Sequence, residues 1–114
     1  MSPLQGFQRR YLRGLANPRK ALVHVGEGGL SQGVLGAIDR ALEDHELVKV
    51  RLREPEDKKS AARELAERSG AELCGLVGHT VILYRPHPER PRIELPARDA
   101  NDHGGGSART TGGG

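Results

Sequence analysis

A glycine-rich junction is the place in this chain where main-chain atoms could bind a ligand. Residues 26–29 read GEGG, follow the apolar run 21–25 and precede Ser31, a residue type that favours the N-cap of a helix. Glycines let main-chain N–H groups approach a ligand closely, and a helix N-terminus behind them favours phosphate. Neither GxGxxG nor Gly-Lys-Ser/Thr occurs there, so no dinucleotide or triphosphate fingerprint is present. The junction indicates either a tight β-to-α turn or a G-x-x-G turn that binds nucleic-acid backbone.

The basic residues form two sets, and the first of them is not balanced by acids. Residues 1–20 carry five bases and no acid, residues 21–98 carry 12 bases and 13 acids, and residues 99–114 carry one base and two acids. Such asymmetry favours a polyanionic partner. The second set alternates along one predicted strand, where an ordinary solvated face is the competing interpretation. The first set is Arg9, Arg10, Arg13, Arg19 and Lys20, and the second is Lys49, Arg51 and Arg53.

The residue types that carry catalysis or bind metals are scattered along the chain. No two of the five histidines stand at zinc-ligand spacing with an acid nearby. His24 lies in a strand that reads as buried, so we expect a packed side chain, and Asp44 and Glu46 read as charges at a helix end. Cys74 is the single cysteine and lies in an apolar run, which predicts an inert core thiol. We therefore predict no enzyme, no cofactor and no small-molecule substrate.

Hydrophobic periodicity predicts elements in the order α-β-α-β-α-β-β. Two β-α-β crossovers imply parallel strands, and a hairpin at Gly78 adds an antiparallel strand. The pattern is typical of a small two-layer α/β domain with a four-stranded mixed sheet. The predicted helices cover residues 4–15, 32–45 and 55–69, and the predicted strands cover residues 21–25, 47–53, 71–77 and 80–84.

The first predicted helix has an apolar face and a basic face. On a helical period, the apolar side chains fall together, and three arginines fall on the opposite side. The arginine face is therefore expected to be exposed and available to a partner. The apolar side chains are those of Leu4, Phe7, Tyr11, Leu12 and Leu15, and the arginines are Arg9, Arg10 and Arg13.

Length and composition predict one domain followed by a tail. The chain has 114 residues and 35% hydrophobic residues, which suits one modest core. We expect a domain over residues 1–98, in which Ile93 and Leu95 hold an extended segment along the surface. Residues 99–114 contain six glycines and nothing to bury, so we expect a disordered tail. The absence of a membrane-length apolar run, of a signal-peptide core and of paired cysteines predicts a cytoplasmic monomer.

Several runs of this sequence, in order, resemble the CRM domain, named for chloroplast RNA splicing and ribosome maturation. The resemblance covers about residues 4–96 and is closest to the stand-alone bacterial, YhbY-type form of the domain. The runs that carry it are residues 8–16 (QRRYLRGLA), 25–30 (VGEGGL), 33–35 (GVL), 45–50 (HELVKV), 78–86 (GHTVILYRP) and 93–96 (IELP).

The resemblance implies a fold similar to the C-terminal domain of translation initiation factor three, with sheet order 1-2-4-3. It also implies RNA binding and, for stand-alone members, association with precursors of the large ribosomal subunit. The family's GxxG loop falls on Gly26, Glu27, Gly28 and Gly29. Two positions depart from the family, since Glu27 and His79 stand where members often carry a basic residue.

These observations predict a non-enzymatic RNA-binding protein that assists large-subunit assembly by holding rRNA backbone. A basic strip continuous with the glycine turn would favour this reading, whereas an exposed apolar patch would favour a protein-interaction module on the ribosome or its assembly factors. An enzyme that binds a nucleotide phosphate on the turn lacks an accompanying base, nucleophile or metal set. The predicted RNA-binding residues are Gly26, Glu27, Gly28, Gly29, Arg9, Arg10, Arg13, Arg19, Lys20, Lys49 and Arg51.

Overall fold

A computed structural model of the protein describes residues 4–26, 29–53 and 57–97. Its elements follow the predicted order, with bounds that differ from the predicted ones by a few residues at the ends. The predicted tail, Glu27 and Gly28 in the glycine turn, and the predicted start of the third helix at Pro55 lie outside the described residues. The elements are α1 Gly6–Ala16, β1 Val23–Val25, α2 Gln32–His45, β2 Leu47–Leu52, α3 Lys58–Ser69, β3 Glu72–Val77 and β4 Thr80–Tyr84.

The described strands form a mixed four-stranded sheet in the order β1-β2-β4-β3. β1 runs parallel to β2, with Val23 opposite Val50, and β4 runs antiparallel to both β2 and β3. The β3–β4 hairpin turns at Gly78, whose φ of 59° is the positive value that primed hairpin turns require. The predicted α/β class, the mixed sheet and the sheet order are therefore confirmed.

The number of layers requires a correction, because helices cover both faces of the sheet. The two-layer prediction placed all the helices on one face of the sheet. β4, however, buries consecutive side chains, and since these point to opposite faces, both faces of the sheet are covered. On one face α2 and α3 pack on Val48, Val50, Leu52, Val81 and Leu83. On the other face α1 packs on Leu47, Cys74, Ile82 and Tyr84.

The buried side of α1 matches the predicted apolar face in part, since Leu4, Leu12 and Leu15 pack in the cluster on the sheet. Leu12 and Ala16 face the sheet, and Arg9 and Arg13 border them half-buried, while Tyr11 is 42% exposed. The Arg13 guanidinium donates to the Cys74 carbonyl at 2.8 Å, and Arg9 donates to the Leu4 carbonyl. Long arginine stems cover apolar surface while their charged ends reach polar atoms. Arg13 thus attaches the helix to β3, whereas Arg9 binds the chain just before the helix, and both are half-buried instead of lying on an outer face.

A glycine in β3 lets Arg13 lie close to the sheet. A Cβ at Gly75 would come within 2.6 Å of the Arg13 Cδ, so any larger residue would displace the arginine stem. Gly75 also follows an irregularity in the β3–β4 register. The close approach of α1 to β3 therefore depends on this one missing side chain.

The helix ends are fixed by side chains that the sequence identifies in part. The Ser31 hydroxyl accepts the Val34 N–H at 3.1 Å, as predicted. α3 is capped by Asp57, which accepts the Ser60 N–H at 3.1 Å, and hydrogen bonds from Ser60 lower the pKa of this carboxyl. α3 ends at Gly70 with a φ of 68°, as predicted for a glycine stop.

Glu46 stands at the end of α2, as predicted, but its carboxylate is buried and organises the C-terminal segment. Its side chain is 0% exposed, and its oxygens accept the main-chain N–H groups of His87 at 2.8 Å, Ile93 at 2.9 Å and Arg92 at 3.0 Å. Burial opposes ionisation, but these hydrogen bonds and the Arg92 charge outweigh it and keep the pKa of Glu46 below its usual value. The carboxylate therefore replaces the strand partners that these N–H groups lack.

The segment after β4 runs along the domain, as expected for residues 91–96. The Arg92 guanidinium donates to the main-chain carbonyls of Glu43 and Asp44 at the end of α2. Ile93 and Leu95 pack against the cluster under α1, and the Gln8 side-chain amide donates to the Pro96 carbonyl at 3.2 Å. This segment therefore joins the end of α2 to α1.

Replacing Glu46 tests the buried carboxylate. We expect Glu46→Gln to lower the free energy of unfolding by about 2–4 kcal/mol at pH 7, because the amide NH₂ would face N–H donors that need an acceptor. Since the pKa is lowered in the folded state, the carboxylate stabilises above its unfolded-state pKa, and the difference should narrow as the pH falls below about 4.3. Urea unfolding at pH 7 and at lower pH measures the loss of stability and its dependence on pH. Glu43→Gln, at an exposed site on α2, is the control, and a loss no larger than that of the control would contradict the role.

Arg13 should contribute to stability although it is a charged residue of α1. We expect Arg13→Ala to lower the free energy of unfolding by about 1–2 kcal/mol, since the Cys74 carbonyl loses its donor and the stem no longer covers Gly75. Arg51→Ala removes an exposed side chain of β2 that makes no hydrogen bond or ion pair with the described residues, so it should change the free energy of unfolding by less than about 0.5 kcal/mol. If urea unfolding gives Arg13→Ala and Arg51→Ala the same loss in free energy of unfolding, the stabilising role of Arg13 is refuted.

Candidate nucleic-acid interface

The glycine turn connects β1 to the N-terminus of α2. The Gly29 N–H donates to the Gly26 carbonyl at 3.1 Å, and the Ser31 N–H donates to the Gly29 carbonyl at 3.0 Å. Gly29 has a φ of 70°, so the backbone itself favours glycine there. Gly26 has no positive φ, and a Cβ on it would meet no described atom within 4 Å. The described fold therefore gives no internal reason for a glycine at position 26.

A recess beside Gly26 is lined by basic and imidazole side chains. His24 pairs in register with Arg51, and the Leu52 N–H donates to the His79 carbonyl at 2.7 Å, which brings β1, β2 and the hairpin together here. The lining is His24, Val25, Gly26, Arg51, Leu52, Arg53 and His79, and no acid is among these described residues. Such a surface suits a phosphate group.

His24 is exposed, which corrects the expectation of a packed side chain. It alternates with Val23 and Val25, which point into the core, so its own side chain points to the opposite face of β1. α1 packs chiefly against β3 and leaves this part of the face uncovered. Among the polar residues of the recess, the predicted RNA-binding set lacked His24, Arg53 and His79. The period of two in VHV is the signal for His24.

A groove lies between α1 and the β3–β4 hairpin on the same face. Its lining contains three bases and no acid among the described residues, and consists of Arg10, Arg13, Gly14, Asn17, Lys49, Val77, Thr80 and Ile82. Arg51 of the recess is paired with Thr80 of the groove, and Lys49 is paired with Ile82, so the recess and the groove adjoin along β2. We call the recess and the groove together the basic strip.

The basic strip brings together some of the predicted residues and leaves others apart. Gly26, Arg51, Lys49, Arg13 and Arg10 line it. Arg19 and Lys20 instead line a separate cleft, which also contains Asp44 and shares only Lys49 with the strip. Arg9 lines neither the strip nor this cleft.

Several of these cations are engaged by the fold. The Lys49 ammonium donates to the Asn17 carbonyl at 3.2 Å and to the Arg19 carbonyl at 3.0 Å. The Arg19 guanidinium donates to the Leu47 carbonyl at 3.0 Å. A carbonyl is neutral, so these contacts fix the position of each cation and leave its positive charge uncompensated. These cations therefore attract a polyanion at long range from fixed positions.

Burial of Cys74 raises the pKa of its thiol to about 12, as expected for an inert core cysteine. Over residues 4–26, 29–53 and 57–97, no three or more histidine, cysteine or acidic side chains cluster as metal ligands would. In the same ranges, no helix has the length and apolarity needed to cross a membrane.

Comparison with known proteins finds relatives that are named as RNA-binding proteins. The probable RNA-binding protein YqeI of Bacillus subtilis is 37% identical over 95 residues, which are 82% of this chain and 99% of that protein. An RNA-binding protein of Haemophilus influenzae is 35% identical over 100 residues, which are 86% of this chain and 100% of that protein. The solution structure of the hypothetical protein SAV1595 from Staphylococcus aureus matches with a TM-score of 0.72 and 38% identity, covering 82% of this chain and 99% of that one.

The same comparison identifies the family. The model of the CRS1 / YhbY (CRM) domain matches residues 4–85, which contain α1 to β4 and the glycine turn. The described order of strands agrees with what the resemblance implied. The chain therefore belongs to the CRS1/YhbY (CRM) domain family.

Proposed function

We propose that the protein binds RNA through the basic strip and that its target is rRNA in precursors of the large ribosomal subunit. The observation that best supports RNA binding is the distribution of charge along the basic strip. Its described lining contains bases and imidazoles but no acid, although the chain as a whole carries 15 acids. The relatives named as RNA-binding proteins align with this chain over nearly their whole length, which supports RNA as its partner.

In the proposed complex the glycine turn holds a phosphate of the RNA backbone. Main-chain N–H groups at the start of α2 favour an anion, and Gly26 leaves open space for its approach. Arg51 and Arg53 border the same recess and would contact neighbouring phosphates. The arginines of α1 would supply attraction over a longer range. The protein would act by binding in the cytoplasm, without a chemical reaction of its own.

A protein partner is the second candidate. The large apolar side chains that are exposed in the described part of the chain are those of Tyr11, Leu22 and Val77. They come from α1, from the segment before β1 and from the end of β3, so no single element presents an apolar face. Charge on the strip is therefore the stronger feature, and it favours RNA over a protein-interaction module.

Binding to rRNA transcripts at several salt concentrations tests the proposal. If about three to five bases contact phosphates, log K should fall with log salt with a slope of roughly −2 to −5. Arg51→Ala should reduce the magnitude of that slope by about 1. Fluorescence anisotropy with labelled fragments of large-subunit and small-subunit rRNA measures the constants.

Each outcome of that measurement bears on a separate part of the proposal. Binding that does not change with salt would refute the electrostatic contact. Equal affinity for fragments of the two subunits would refute the large-subunit preference and leave RNA binding standing. Lys20→Ala, outside the strip, is the matched control and should affect the slope less than Arg51→Ala.

Glu27 should weaken RNA binding, since it places a negative charge within the glycine turn. We expect Glu27→Lys to tighten binding by about 0.5–2 kcal/mol at low salt, with a smaller gain as salt rises. Glu43→Lys makes the same change of charge at the C-terminal end of α2 and should leave binding nearly unchanged. Equal gains from the two variants would show that only total charge matters.

Gly28→Asp is the opposite test of the same turn. A side chain and a second negative charge should abolish binding if the turn holds phosphate. If the variant folds and binds like the parent, the turn is structural, and the RNA contact must lie elsewhere on the strip.

A further inference from the structure

We propose that the groove half of the basic strip binds one unpaired nucleobase, while the recess half holds backbone phosphate. The inference rests on the proposed RNA binding and deepens it, because it makes unpaired RNA the preferred substrate. The two halves of the strip differ in chemistry, and this difference is the starting point.

The recess and the groove do not offer the same surface. The recess is bordered by His24, Arg51, Arg53 and His79, which are all groups that suit a phosphate. The groove adds apolar surface, since the Val77 side chain is 62% exposed along it and Ile82 forms part of its lining. A nucleobase has apolar faces and polar edges, and sites lined by apolar groups with a few polar groups suit such ligands.

Gly14 leaves the groove open on the side of α1. It lies inside the helix, where glycine is a poor helix former, and its φ is not positive. A Cβ there would meet no described atom within 4 Å apart from the backbone of its own helix. The helix therefore gains nothing from this glycine, whereas a larger side chain would enter the groove.

Two polar side chains of the groove are available for the edge of a base. Within the described part of the chain, neither the Thr80 hydroxyl nor the Asn17 side-chain amide has a hydrogen-bond partner. Both line the groove, and between them they offer donors and acceptors. Arg13 borders the same groove and is fixed by its bond to the Cys74 carbonyl. This set resembles the mixed lining by which proteins contact bases of single strands.

The two halves are close enough for one nucleotide to use both. Arg51 of the recess and Thr80 of the groove are directly paired across β2 and β4, where Cα atoms lie about 5 Å apart. A base in the groove would therefore leave its own or an adjacent phosphate beside Arg51. A fully paired duplex keeps its bases stacked inside and could use only the recess.

The experiment compares three labelled RNAs of equal length: a single strand, the same strand with abasic sites throughout, and a duplex. We expect Gly14→Leu to weaken binding of the single strand about tenfold and to leave the other two RNAs within about twofold. Leucine is a good helix former, so α1 should remain folded. Gly6→Leu, at the first residue of α1 and outside the groove, is the matched control and should bind like the parent.

A second variant covers the case in which Gly14→Leu does not fold. Val77→Ser removes the exposed apolar wall at little cost in stability and should also weaken single-strand binding selectively. If both variants bind the single strand like the parent, the base site is refuted while RNA binding stands. If a variant weakens binding of the abasic strand as much as binding of the single strand, the groove contacts the RNA backbone, and this result would also refute the inference. If the parent binds none of the three RNAs, the proposed function itself fails.

Discussion

On one face of the four-stranded sheet the described structure places a single helix and part of the C-terminal segment, and most of the functional surface follows from this incomplete cover. Strands lie about 4.8 Å apart, whereas a helix with its side chains is about 10 Å wide. α2 and α3 share the opposite face, but α1 is the only helix on this face among the described residues, and it packs chiefly against β3. The β1 side and the C-terminal end of β2 therefore stay open. The side chains that point there, including His24 and Arg51, are polar and exposed in the described structure.

The arginines of α1 serve packing and charge at once. Arg13 contacts a carbonyl of β3 and crosses Gly75, and it also lines the groove. Because the acceptor is a neutral carbonyl, the contact leaves a positive charge at the surface. Part of the potential over the strip thus comes from Arg13 and Lys49, whose positions the fold already determines. An interface made in this way loses little side-chain entropy when a polyanion binds.

The sequence predicts the elements well because each of them has a local cause. Ser31 and Gly70 mark helix ends through side-chain capping and a left-handed backbone, and the alternation in β2 separates Val50 from Arg51. The sheet order was implied by family resemblance, since spacing alone fixes only the chain order of the elements. The failures are long-range. Periodicity could not show that Arg13 would find an acceptor 61 residues away, or that both faces of the sheet would be covered.

Glu46 shows why local rules miss such a residue, since it links the end of α2 to the segment after β4. With a φ of 64° it ends α2 in the left-handed region, where glycine would be the easier choice. The same residue accepts N–H groups 41 to 47 residues further on. Glycine would relax the backbone and lose the acceptor, so local preference and tertiary contact cannot both be satisfied. At the end of α2 an unfavourable backbone conformation is thus retained because the Glu46 side chain holds residues 87–93 against the domain.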